Sequence, residues 1–251
     1  PYAQVHYPFD NKEWFENHFP ADFIVEAMDQ TRGWFYTLTV LSTALHNKPA
    51  FKNCICTGLL MAEGGQKLSK RLKNYPDPNE VLDNIGSDAL RWFLVSSPVL
   101  KGGNLAVDKE GKEIAKAARV AQIPLWNAFY FFTLYANAEG YKAKEISSSA
   151  EAIDNYILSK LKRLRDVVKQ GLESYDVSMA TGEVASFMEI LNNWYIRRTR
   201  DRFWEGDAQA FDTLYTVLVN VAKITAPLMP FVSEYIFKNL TGEESVHLTD
   251  Y

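Results

Sequence analysis

The stretch ADFIVEAMDQTRGWFYTLTVLSTALH, residues 21–46, changes its periodicity halfway along. ADFIVEAMD (21–29) is a short apolar run that follows Phe19-Pro20 and ends in carboxylates, and it reads as a buried strand. QTRGWFYTLTVLSTALH (30–46) reads as a helix, because Trp34, Leu38, Leu41 and Leu45 recur at helical spacing. A second β-rich run, FKNCICTGLLMAEGG (51–65), follows and ends in glycines. Strand, helix and strand at this spacing predict a parallel α/β sheet. Ligands on such sheets sit beyond the carboxyl ends of the strands. Glu26, Asp29 and the loop 64–73 therefore lie at the rim of a candidate active site.

Further along, DPNEVLDNIGSDALRWFLVSSP (77–98) predicts two short helices, with Ser87 as N-cap of the second and Pro98 as its stop. From about residue 109 the strand signals fade. The segment 109–140 holds a long helix with Pro124 inside it, where a kink or break is expected. KAKEISSSAEA (142–152) is polar and serine-rich and reads as a linker. Beyond it, Ile157, Leu161, Leu164, Val168 and Leu172 form one apolar stripe, and Val184, Phe187, Leu191 and Trp194 form another. Such stripes pack into a helical bundle. Pro227 and Pro230 separate the last two helices. The fold class is α/β followed by all-α.

The bulk composition excludes several classes. The chain has 251 residues, 47% of them hydrophobic, and a formal charge of −4, all ordinary for a soluble globular protein. No run of about 18 apolar residues exists, so no membrane partner is expected. The start PYAQVHYPFD has neither a signal peptide's n-region nor its h-region, and it reads as cut from a longer chain. Cys54 and Cys56 point to opposite faces of their strand and form no disulfide framework or complete zinc site. His6, His18, His46 and His247 lack metal-ligand spacing. No segment fits G-x-x-x-x-G-K-[ST] or G-x-G-x-x-G.

The loop GGQKLSKRLKNYPDP (64–78) nevertheless crowds Lys67, Lys70, Arg71 and Lys73 behind two glycines. Glycines let a loop swing, lysines three apart can both face a polyphosphate, and Leu68 can anchor the underside. Lys67-Leu-Ser-Lys-Arg71 resembles the KMSKS signature of class I aminoacyl-tRNA synthetases. DQTRGWFYTL (29–38), GSDALRWFL (86–94), PLWNAFYFFTLYAN (124–137) and NNWYIRRTRDRFW (192–204) resemble the isoleucyl-tRNA synthetase family, in the right order and spacing. The resemblance covers essentially the whole chain. The valyl and leucyl enzymes share the loop but not DQTRGWF. A fragment of either, or a non-catalytic tRNA-binding module, is the alternative reading.

The resemblance implies that residues 1–145 form the C-terminal half of a Rossmann-like catalytic domain, and that residues 146–251 form an anticodon-binding helical bundle. It implies that Lys67 and Lys70 are catalytic and stabilise the charge that builds on departing pyrophosphate. Glu26, Asp29, Gln30, Ser69 and Lys70 would bind ATP or the adenylate, and Trp34 would wall the amino acid pocket. Leu68 and Arg71 stand where the family has Met and Ser, and Ala27 stands where it often has Gly. Arg32 is expected in a structural ion pair. Arg197, Arg198, Arg200 and Arg202 would contact tRNA, with aromatic neighbours for base stacking. The same arginines can instead pair with Glu189, Asp201 or Glu205.

The implied partners are isoleucine, ATP with Mg2+, and tRNA(Ile), for a cytoplasmic monomer with no zinc site in these residues. The family's HIGH signature has no equivalent here. The chain alone is therefore expected to be catalytically incompetent.

Overall fold

The structure, a computed structural model, describes residues 2–69 and 71–249. It divides into two units: Pro1–Lys67 with Pro98–Ala106, and Leu68–Ser97 with Val107–Tyr251.

In the first unit, helix α1 (Lys12–His18) precedes β1 (Ala21–Ala27), a 3-10 turn (Met28–Arg32) and α2 (Trp34–His46). Strands β2 (Phe51–Thr57) and β3 (Leu60–Ala62) follow. β1 and β2 pair in parallel, from Ala21 opposite Phe51 to Ala27 opposite Thr57, with α2 as the crossover. β3 pairs with β4 (Leu105–Val107), a strand that the sequence pattern did not reveal.

In this unit two expectations differ from the structure. β1 is not a buried strand: only Ile24 is buried, while Phe23 and Val25 are exposed. The sheet around it has two strands, which leaves both its faces largely uncovered among the described residues. The 30–46 helix begins at Trp34 instead, because Gly33, with φ −144° and ψ −114°, breaks the backbone between the 3-10 turn and α2. Its stripe is exposed at Trp34, Leu41 and Leu45, and α2 buries Phe35 and Ser42.

In the second unit, α3 (Pro78–Asn84) and α4 (Ser87–Val95) form as the pattern predicts. Gly86, not Ser87, is the N-cap of α4, and its φ of 100° suits glycine. The predicted long helix is two helices, α5 (Lys112–Ala118) and α6 (Gln122–Glu139). Pro124 does not kink α6; it lies in its first turn, where its missing N–H has no intrahelical partner to lose.

The bundle continues with α7 (Ala152–Glu173), α8 (Val177–Glu189), a π-helical stretch (Ile190–Ile196), α9 (Arg197–Trp204), α10 (Ala208–Thr225) and α11 (Pro230–Thr241). The predicted stripes supply its core. Ile157, Leu161, Leu164, Val168, Val184, Phe187 and Leu191 are buried, and Leu172 and Trp194 pack at its edge. α10 lies deepest, burying residues on every side from Ala210 to Thr225.

The serine-rich stretch before α7 is strapped down. Asp212 accepts from Lys144 N and Tyr141 OH, and Thr216 Oγ1 accepts from Ile146 N. Asp154 at the start of α7 accepts from Ser149 Oγ, and Asn155 Nδ2 donates to Ser149 O.

Candidate functional site

Glu26 stands exposed at the carboxyl end of β1, opposite Cys56 of β2, and its Oε2 accepts from Ala27 N at 3.3 Å. The chain then tightens into the 3-10 turn, closed by Thr31 Oγ1 donating to Met28 O at 2.8 Å. Asp29 is exposed on this turn and Gln30 is half-buried. Gln30 Oε1 accepts from Trp34 N at 2.8 Å, so the side chain caps the start of α2. Gly33 makes this fold-back fit, because a Cβ there would stand 2.7 Å from Gln30 Oε1. Trp34, at the first position of α2, is 48% exposed.

Glu26, Asp29, Gln30 and Trp34 thus share one short segment at a strand's carboxyl end. The Gln30–Trp34 relation is a cap, not the turn of continuous helix that the spacing suggested. Arg32 is exposed and has no carboxylate within ion-pair distance among the described residues, so its expected ion pair is absent there.

The basic loop starts as a tight reversal. Ala62 N donates to Gln66 O, Met61 bridges Lys67, and Gly64 and Gly65 both have φ near +75°. Lys67 is exposed, and Leu68 is half-buried as an anchor should be. Ser69 N donates to Asn74 Oδ1 at 2.8 Å, and Lys73 N donates to Ser69 O, which closes the second part of the loop. Lys70, the second signature lysine, lies outside the described residues. The division between the two units falls inside this loop, after Lys67. Among the described residues no group of three or more His, Cys, Asp or Glu could hold a metal ion.

The arginines of the helical half separate by partner. Arg202 donates to both oxygens of Asp154, at 2.8 and 3.0 Å, and to Asp207 at 2.7 Å. Asp154 is fully buried, and Tyr195 OH also donates to it at 2.9 Å. Burial, then the Asp154 charge, pushes the Tyr195 phenol far above its ordinary range. The bond to Asp154 raises Arg202 further despite its desolvation.

Arg202 is therefore a structural residue, and its partners are Asp154 and Asp207, not Glu189, Asp201 or Glu205. Arg197, Arg198 and Arg200 are exposed. Arg198 lies over the Trp194 ring at 5.4 Å, and Trp194 meets Tyr156 of α7 with centroids 4.6 Å apart. Tyr156 was missed in the sequence, since no local pattern links it to a residue so far along the chain.

Residues 1–106 match the family model for class I tRNA synthetases (I, L, M and V), and residues 154–251 match that for the anticodon-binding domain of tRNA ligase. The chain is 54% identical over 257 residues to an isoleucine–tRNA ligase of Leifsonia xyli subsp. xyli, and 52% identical over 251 residues to one of Mycobacterium tuberculosis. Both alignments cover the whole chain but only 23% and 24% of the relatives' own lengths. Among solved structures, it is similar to a ternary complex of Agrobacterium radiobacter K84 agnB2 LeuRS, tRNA and LeuAMS. That match has a TM-score of 0.75 at 18% identity and covers 98% of this chain and 31% of that one. It is also similar to Mycobacterium tuberculosis methionyl-tRNA synthetase in complex with methionyl-adenylate, with a TM-score of 0.76 at 18% identity, covering 94% and 47%. At that identity the structural likeness establishes the fold alone.

Proposed function

The chain belongs to the class I tRNA synthetase family, and on that premise we propose that it is part of an isoleucine–tRNA ligase. The whole enzyme would join isoleucine to ATP as isoleucyl-adenylate and then pass isoleucine to tRNA(Ile), acting as a cytoplasmic monomer. Residues 1–145 would serve adenylate chemistry and residues 146–251 would bind the anticodon arm. The segment Glu26–Trp34 at the carboxyl end of β1 carries this reading, because it gathers carboxylates, an amide and an indole where ligands of α/β sheets bind.

In the activation step the isoleucine carboxylate oxygen attacks the α-phosphorus, and the bond to the bridging oxygen of pyrophosphate breaks. Lys67 and Lys70 would meet the charge that grows on that leaving group, and Ser69 would bind the same phosphates. Glu26 and Asp29 would accept from the ribose hydroxyls. Gln30, with its carbonyl oxygen engaged by Trp34 N, would have its Nε2 left to donate to the adenylate. Trp34 would form one wall of the amino acid pocket. The described residues offer no cage for Mg2+, and that ion commonly binds through substrate phosphates.

ATP–pyrophosphate exchange tests the reading. The 251-residue chain alone is expected to show none. A full-length protein containing it should exchange most strongly with isoleucine and lose about 10²–10³-fold in rate on Lys70→Ala. Strongest exchange with valine or leucine would sink the isoleucine assignment.

A further inference from the structure

We propose that Tyr156 and Trp194 form a stacking platform for one unpaired RNA base, with Lys160 and Arg198 holding the phosphates beside it. This rests on the tRNA-binding half of the reading above and says where on the bundle a loop base is seated. Lys160 Nζ lies 5.3 Å from the Tyr156 centroid, Tyr156 lies 4.6 Å from Trp194, and the Arg198 guanidinium lies 5.4 Å from Trp194. Each cation stands four residues beyond its ring on its own helical segment, so two elements far apart in sequence present the same unit side by side.

The two rings tilt 50° from one another and differ in exposure. Trp194 packs against the bundle core on one side, and Tyr156 is 40% exposed. Base–aromatic stacking needs an accessible π face held in place, and it tolerates any base.

Several other cations of these helices are neutralised. Arg163 is paired with Glu183, Arg165 with Asp166, and Arg202 with Asp154 and Asp207. Lys160, Arg197, Arg198 and Arg200 have no carboxylate within ion-pair distance among the described residues. Arg197 and Arg200 are three apart on α9, where like charges repel. Positive charge left unneutralised beside the exposed Tyr156 ring and the half-buried Trp194 suits a phosphate backbone that the fold itself does not supply. Trp194 itself lies within the π-helical stretch Ile190–Ile196, just before α9, and such a rare geometry is enriched at functional sites.

A duplex keeps its bases stacked on each other, so the platform selects unpaired RNA. Stacking supplies affinity and register, not base identity.

The test uses the 251-residue chain and two RNAs, a hairpin with 5-iodouridine in its loop and a fully paired duplex carrying the same base. Irradiation of the hairpin complex should cross-link Trp194 or Tyr156, located by mass spectrometry, and the duplex should not. Trp194→Ala should weaken hairpin binding by about 5- to 150-fold, and Trp194→Phe should restore most of it. Arg198→Gln should reduce the slope of log affinity against log salt by about one. Hairpin binding with cross-links only elsewhere would overturn the platform and leave the RNA-binding reading standing. Duplex cross-linking at the same rings would also overturn it. Failure of the unaltered chain to bind the hairpin at all would overturn both.

Discussion

Gly33 shows how one missing methyl shapes the candidate site. Gly33→Ala would drive a Cβ against Gln30 Oε1, 2.7 Å away, and force the amide off the start of α2. A lost hydrogen bond of this kind is worth about 0.5–1.5 kcal/mol. Pyrophosphate exchange by the full-length protein is expected to fall more than the denaturant midpoint, because Gln30 would no longer aim its Nε2; equal losses would mark the cap as purely structural. Asp154 is the second decisive residue. Removing it as Asp154→Ala leaves the Arg202 guanidinium and the Tyr195 hydroxyl without their buried partner, and a loss of about 3–5 kcal/mol is expected in urea unfolding. The sequence announced neither role. Gln30 and Trp34 read as neighbours on one helix, and only the Gly33 backbone turns them into cap and capped. Asp154 reads as an ordinary acid in a first helical turn, and its arginine lies 48 residues on.

Several helix starts in this chain are held by aspartates. Asp77 caps α3, Asp176 caps α8 and Asp207 caps α10, each accepting from a backbone N–H two or three residues on. Asp108 accepts from Lys112 N and Glu113 N at the start of α5. Asp88 acts at longer range, accepting from Phe231 N and Val232 N, so α11 is capped from α4. Asp88→Ala should cost about 0.5–2 kcal/mol, with thermal melts of the variant and parent as the check. Burial pushes the carboxyls of Asp108 and Asp207 upward, but backbone N–H groups at the first, and Arg202 at the second, outweigh it and hold both below the ordinary range. A depressed folded value means stability that is complete above the unfolded carboxyl, near pH 4, and lost as pH falls through the lower folded values. The urea midpoint should therefore drop steeply below about pH 4, and Asp207→Asn, which keeps a capping oxygen, should flatten that drop. At this scale the sequence was largely readable: the apolar stripes gave the bundle helices, and prolines and glycines their ends. Where it misled, at Pro124, the same ring fits a first turn as well as a break, and only the neighbouring helix end decides.

Across the molecule, burial is uneven. Helix α10 and the stripes around it are nearly solvent-free, while β1, β2 and α2 expose Phe23, Val25, Leu41 and Leu45. Amide hydrogen exchange should accordingly be slowest along α10 and fast across β1 and α2, since protection follows local burial. Equal protection in the two would contradict this uneven core. The α/β half was legible through its motifs more than its fold, because the exposed sheet offers little burial pattern to read. The candidate RNA-binding surface was legible only as a run of arginines; their sorting into paired and unpaired needed the third dimension. The serine-rich stretch before α7 is the clearest case of composition and structure parting. Its residues look like a hinge, yet Asp212 and Thr216 grip its backbone and Asn155 and Asp154 grip its end. Anyone dividing this chain for expression would be drawn to cut there, and the cut would strip α10 of ligands for its buried carboxylate and hydroxyl. Grafting a foreign segment at the serines would do the same harm, so the apparent seam is a stitch.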